Sequence, residues 1–205
     1  MVFRRIIPFA VAAALAGGCD QTEEVPKEQP TTQEAPALQV SVDDEVRQYF
    51  NAARAGRGGY QGVIADCTAG LDLLAQHPAS SYGNLRDDFH MLRARARART
   101  DNGTPSHNRR MMEDYLDALV QATETGDKGV RAQVLVQMVQ GLPDQRIHPG
   151  VEGAYDAAMR ALPPEQRKTV MGALDAQIRA LENYGDRQPD LVHAAQQARQ
   201  VYNIH

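Results

Sequence analysis

The 205-residue chain has no tryptophan, four phenylalanines and two cysteines. With only Cys19 and Cys67, a disulfide framework is excluded. Long hydrophobic runs are also missing. The longest, Ile6–Ala16, is interrupted by Pro8 and falls well short of the roughly 20 residues that a membrane-spanning helix needs. No apolar–polar alternation strong enough to score as a half-buried strand is present. The six histidines (His77, His90, His107, His148, His193 and His205) form no HxxxH, HExxH or Cys/His spacing, so neither a zinc site nor any other metal site or cofactor is expected. A GxSxG turn, a glycine-rich phosphate loop and a histidine–nucleophile arrangement are all lacking. The sequence therefore names no catalytic residue, and the expectation is that the chain is not an enzyme.

What is present starts at the N-terminus. Arg4 and Arg5 form a short positive region, Ile6–Ala16 an apolar one, and Ala16, Gly17 and Gly18 lead into Cys19. That is the three-part layout of a secretory signal. The segment over residues 1–19 resembles the signal peptide and lipobox of bacterial lipoproteins, although Ala16 stands where leucine is usual. The resemblance implies cleavage after residue 18, lipidation of Cys19 with palmitate among the acyl chains, and a membrane anchor in the bacterial cell envelope. Two or more chains, at about 0.8 kcal/mol per buried methylene, hold a protein stably. Asp20 resembles the retention signal of enteric lipoproteins, which points to the periplasmic face of the inner membrane rather than to the outer membrane.

Residues 19–42 read as a lipidated, disordered tether. From residue 20 onward they hold three prolines, four glutamines and five acidic residues against Lys27, with no helical or strand period, and such a stretch buries too little apolar surface to offset ordering entropy. Its typical span is roughly 25–30 Å as a coil and roughly 80 Å when stretched. Residues 43–205 carry 19 basic and 21 acidic side chains. A balance so near neutral gives no bulk attraction to nucleic acid.

The remaining residues, 43–205, suffice for one domain, and their apolar positions recur at helical spacing. The pattern predicts an all-α fold of about eight short antiparallel helices. Ser41 caps the first, with Asp44 as capping-box partner, and Gly56, Gly58 and Gly59 end it. The second stops at His77-Pro78. Ser80 or Ser81 caps the third. Ser106 starts the fourth, and Gly126-Asp127 breaks it. The fifth stops near Gly141 and Pro143. The sixth ends at Pro163-Pro164, the seventh at Gly185, and the last starts near Pro189. Two arrangements fit: a stack of helix pairs, as in an α-solenoid, or a compact bundle.

Within residues 46–99, Tyr49–Ala53, Gly59-Tyr60, Ile64, Leu71, Leu74, Pro78 and Ser80-Ser81-Tyr82 resemble a tetratricopeptide-like helix pair of the kind found in helical envelope lipoproteins. The resemblance implies a groove that holds a partner peptide or protein.

Several residues carry candidate chemistry. Cys67 lies on an apolar helix stripe and reads as a buried small hydrophobe. Arg93, Arg95, Arg97 and Arg99 alternate with alanines. On a helix only 93/97 and 95/99 are neighbours. The run offers a partner-docking surface for an acidic partner or lipid headgroups; alternatively it is a solvated helix end paired with Asp87, Asp88 and other acids. Glu113, Asp114 and Asp117 share a helix, but nothing in the sequence converges on them. These features favour a membrane-anchored lipoprotein whose helical domain binds an envelope or periplasmic protein as scaffold or adaptor. A periplasmic immunity or inhibitor protein that neutralises a toxin or hydrolase is the alternative, and a cell-wall-acting enzyme without a recognisable motif is a further one. The partner and the oligomeric state are not encoded in any motif.

Overall fold

The computed structural model describes residues 41–100, 104–143 and 150–204. Cys19, the signal and all but the last two positions of the tether lie outside them. All the described elements are helical, so the all-α expectation holds.

Helix α1 (Val42–Ala55) begins as the sequence predicts. The Ser41 hydroxyl accepts from the Asp44 amide at 3.1 Å and donates to the Asp44 carboxylate at 2.8 Å. Asp43, Asp44 and Glu45 meet the positive end of the helix dipole. Gly56 ends it at φ 65°, a left-handed conformation that glycine adopts without strain. Helix α2 (Gly59–Gln76) runs to His77, where Pro78 stops it.

The next turn departs from expectation. Ser80 and Ser81 do not cap α3 (Arg86–Arg99); both hydroxyls donate to the Asp43 carboxylate, Ser80 at 2.7 Å. They lock the α2–α3 turn onto the start of α1, and α3 is entered through a 3-10 turn at Gly83–Leu85.

Helix α4 (Pro105–Thr125) starts one residue earlier than Ser106, because Thr104 is its cap and Pro105 occupies the first turn. Asp127 caps α5 (Lys128–Val136), its carboxylate accepting from the Gly129 and Val130 amides at 2.8 and 2.9 Å. Beyond Val136 the helix widens into a π turn, Gln137–Gly141, that its sequence does not announce. The Leu142 amide bonds Gln137 rather than Met138, and Pro143 has no N–H to offer. The Met138 carbonyl is instead satisfied by the Tyr202 hydroxyl at 2.6 Å.

Helix α6 (Val151–Ala161), α7 (Pro164–Glu182) and α8 (Pro189–Val201) complete the domain. The seventh ends at Asn183, and Gly185 opens a 3-10 turn rather than closing the helix. Asn203 stands at φ 50° after α8. The Ile204 amide reaches back to Arg199 and the Asn203 amide to Gln200, a Schellman closure that buries Ile204.

Two apolar cores result. A small one joins α1, α2 and one side of α3 around Val46, Cys67, Leu74 and Phe89. A large one takes the other side of α3 and all of α4–α8. Helix α4 touches α3, α5, α6 and α7, and it is buried nearly all round, as a central helix must be. Helices α1 to α4 thus meet in series, as in a stack, whereas α4 to α8 close around one axis, as in a bundle.

Candidate functional site

The arginine run of α3 divides as helical geometry requires. Arg93 and Arg97 turn toward α4 and meet Asp114, a carboxylate only 2 % exposed. The Arg93 guanidinium grips it as a fork, Nε to Oδ1 at 3.0 Å and Nη2 to Oδ1 at 2.7 Å, with Nε also 3.2 Å from Oδ2. Arg97 Nη1 closes on Oδ2 at 2.5 Å and donates to the Arg110 carbonyl at 3.0 Å. Arg93 Nη1 reaches the other way, to the Thr68 hydroxyl of α2 at 3.2 Å. One buried carboxylate therefore ties α2, α3 and α4 together. Burial holds the Arg97 guanidinium below its usual range, and the Asp114 charge opposes the shift. His107 donates a ring N–H from Nε2 to the Arg97 carbonyl at 2.8 Å.

His90 extends the cluster. Its Nδ1 lies 3.6 Å from Asp114 and 3.8 Å from Asp117, too far for a good hydrogen bond. Burial and the neighbouring Asp114 charge push the Asp117 carboxyl above its ordinary value, against the pull of His90. Glu113 is occupied at the surface by Arg109 at 2.8 Å. A cavity of about 240 Å³ between α4 and α6, lined by Glu113, Leu116, Asp117, Ala158, Ala161 and Leu162, opens beside these carboxylates. Two of the three acids of α4, Asp114 and Asp117, thus do have convergent partners. Those partners come from α3, and only the pairing of the two helices reveals them. The cluster is arranged to hold helices: both guanidiniums that face Asp114 are already bound to it.

Arg95 and Arg99 point elsewhere. Neither forms an ion pair among the described residues. Arg99 sits with its guanidinium 5.7 Å from the ring centre of Tyr60, the first-turn residue of α2. Arg95 borders a groove of about 310 Å³ between α3 and α5, with Ala132, Gln133, Val136 and Gln137. Tyr60 and Val136 are 44 % and 39 % exposed, high values for large apolar side chains. Tyr115 lies beneath the pair. Burial pushes its hydroxyl up, and the charges of Arg95 and Arg99 oppose that. The run is therefore neither one continuous docking surface nor a solvated end paired with Asp87 and Asp88, which belong to the first turn of α3.

The other sequence candidates fall as follows. Cys67 is fully buried, and that burial pushes its thiol up to about 12, far from a reactive thiolate. His77 follows α2 and His193 lies on α8; His148 and His205 are outside the described residues. Among the described residues no three His, Cys, Asp or Glu side chains are placed to hold a metal ion, and no helix is long and apolar enough to cross a membrane. No protein-family model, curated protein or solved structure matches this chain.

Proposed function

We propose that the protein is a lipid-anchored lipoprotein of the bacterial cell envelope whose helical domain binds a protein partner, acting as a scaffold or adaptor and not as an enzyme. Residues 1–18 serve as the signal, Cys19 carries the lipid, residues 19–42 form the leash, and Asp20 favours retention at the inner membrane. The observation that carries the binding reading is the contrast within α3. Arg93 and Arg97 are held inside on Asp114, while Arg95 and Arg99 stand without a carboxylate partner among the described residues, beside exposed Tyr60 and Val136. Unpaired arginines next to exposed aromatic and apolar side chains are what protein-binding surfaces are enriched in.

The anchor has a direct test. Cys19→Ala is expected to abolish incorporation of labelled palmitate and to move the protein from the membrane to the soluble fraction. Label retained in the variant would refute lipidation at Cys19. The adaptor role is checked by cross-linking the protein at native expression and identifying what it holds. If no protein partner appears, the adaptor reading fails; a single very tight partner, with harm from its loss only beside toxin-bearing neighbours, would replace it with the immunity reading.

A further inference from the structure

We infer that the face built by Tyr60, Arg95, Arg99 and the α3–α5 groove takes an acidic segment of a partner protein, with two carboxylates about one helical turn apart and an aliphatic side chain beside them. This inference rests on the partner-binding reading and names the chemistry of that same surface. Arg95 and Arg99 are four residues apart on α3, so their side chains leave the helix as neighbours, one turn apart. No described carboxylate pairs with either, and their charges add on this face. Arg99 is already seated against the Tyr60 ring, with Nη1 3.5 Å from the phenol oxygen, so less side-chain freedom is lost when a ligand arrives. A planar guanidinium matches a carboxylate as a two-bonded fork. Beside Arg95, Ala132 and Val136 give the groove an apolar wall, and Gln133 and Gln137 give it amide donors and acceptors.

Other occupants fit less well. Anionic headgroups are recognised by clusters of about four to eight cations on a flat face, whereas two stand here, one of them over a concave groove. Nucleic acid needs a basic stripe, and residues 43–205 hold more acidic than basic side chains.

The test places the photoreactive amino acid benzoylphenylalanine at Gln133, on the groove lip, and separately at Tyr184, an exposed residue just beyond α7, in the full chain at native expression. After irradiation the cross-linked peptides are sequenced. The expected result is an adduct from position 133 to a protein segment carrying at least two carboxylates. R95E/R99E should lower its yield by about tenfold or more, while R95K/R99K, which keeps the charge but loses the fork and the ring stacking, falls between that and the native yield. R95Q/R99Q, which adds no repulsion, should also lose the adduct, and an unchanged circular-dichroism melt shows that the loss is not unfolding. Adducts only from position 184 would overturn this surface and leave the adaptor reading standing. Adducts from neither position would overturn both. A neutral or basic segment, a phospholipid or a second copy of this chain cross-linked at 133, or indifference to R95E/R99E, would likewise overturn the inference.

Discussion

The two sides of α3 face cores of very different size. One faces the small core, with seven buried members among the described residues, closed by α1 and α2. The other faces a core of thirty-one described residues. Apolar burial scales with core size, and a layer of two helices over seven buried side chains is too little to stand alone. The small layer must therefore be held by something besides its own packing. Two devices do this. One is the arginine–aspartate tie through Asp114, which reaches α2 by way of Arg93 and Thr68. The other is close approach: Gly70 of α2 lies so near Phe89 of α3 that a Cβ there would stand 2.5 Å from the ring. The large core instead packs around α4, which is buried nearly all round.

The strongest way to break this comparison is to remove the tie. Asp114→Ala leaves two largely buried guanidiniums without their counter-charge, and loss of one partner from such a cluster costs about 3–5 kcal/mol. The loss should fall unevenly. Amides of α1 and α2 should lose hydrogen-exchange protection first, while α4 to α8 keep theirs. Uniform loss across all eight helices would show that the two cores unfold as one and that the tie has no special role.

The second device is tested by a pair of glycines. Gly70→Ala forces α2 away from a ring that is fully buried and held edge-on by Phe50 at 5.4 Å. Overpacking of this kind costs about 1–3 kcal/mol, and the helix preference of alanine over glycine returns at most about 1 kcal/mol. A net loss of about 1–2 kcal/mol in urea unfolding is expected. Gly172 of α7 meets open space, so Gly172→Ala should gain up to about 1 kcal/mol. If both variants move stability the same way, close packing is not what sets the small layer apart.

How much of this was legible in the sequence follows the range of each interaction. The eight helices were, because apolar spacing and Gly or Pro stops act within a few residues. The division of the arginines into 93/97 and 95/99 was legible for the same reason, since it follows from the helix repeat alone. Asp114 as the shared partner was not: it lies 21 residues from Arg93, and only the packing of α3 on α4 brings them together. Ser80 and Ser81 misled as caps because their hydroxyls are taken by Asp43, 37 and 38 residues away. The π turn was not legible because its cause is shared between Pro143, which offers no amide, and Tyr202, which supplies the missing donor from just past the end of α8. The signal at Asn203 was local, and a left-handed asparagine before a buried Ile204 was readable in principle.

The opposite end of α3 sharpens the comparison by a smaller amount. There the contact between the small layer and the large core carries an electrostatic cost. Asp87 is fully buried, with its carboxylate accepting from the Asp88 amide at 2.9 Å and from the Thr125 hydroxyl at 3.4 Å. Burial pushes its carboxyl above the ordinary value, and the charge of Asp127 adds to that. Asp88 is raised too, by burial first and then by Asp87. A carboxyl raised in the folded state binds its proton more tightly there than in the unfolded chain. Its contribution to stability is therefore fully present below the unfolded value of about 3.9 and is lost as pH climbs through the folded value. Asp87→Asn keeps an oxygen to accept from the Asp88 amide and removes the charge. The expected gain near pH 7 is about 0.5 kcal/mol, at the low end of single-substitution effects, and it should vanish near pH 3, where Asp87 is protonated in both states. Urea unfolding of the two proteins at pH 3 and pH 7 measures this. An equal effect at both pH values would mean that shape rather than charge governs this end of α3. A loss at pH 7 would mean that the buried carboxylate stabilises the joint as Asp114 does, and the two ends of α3 would then be alike.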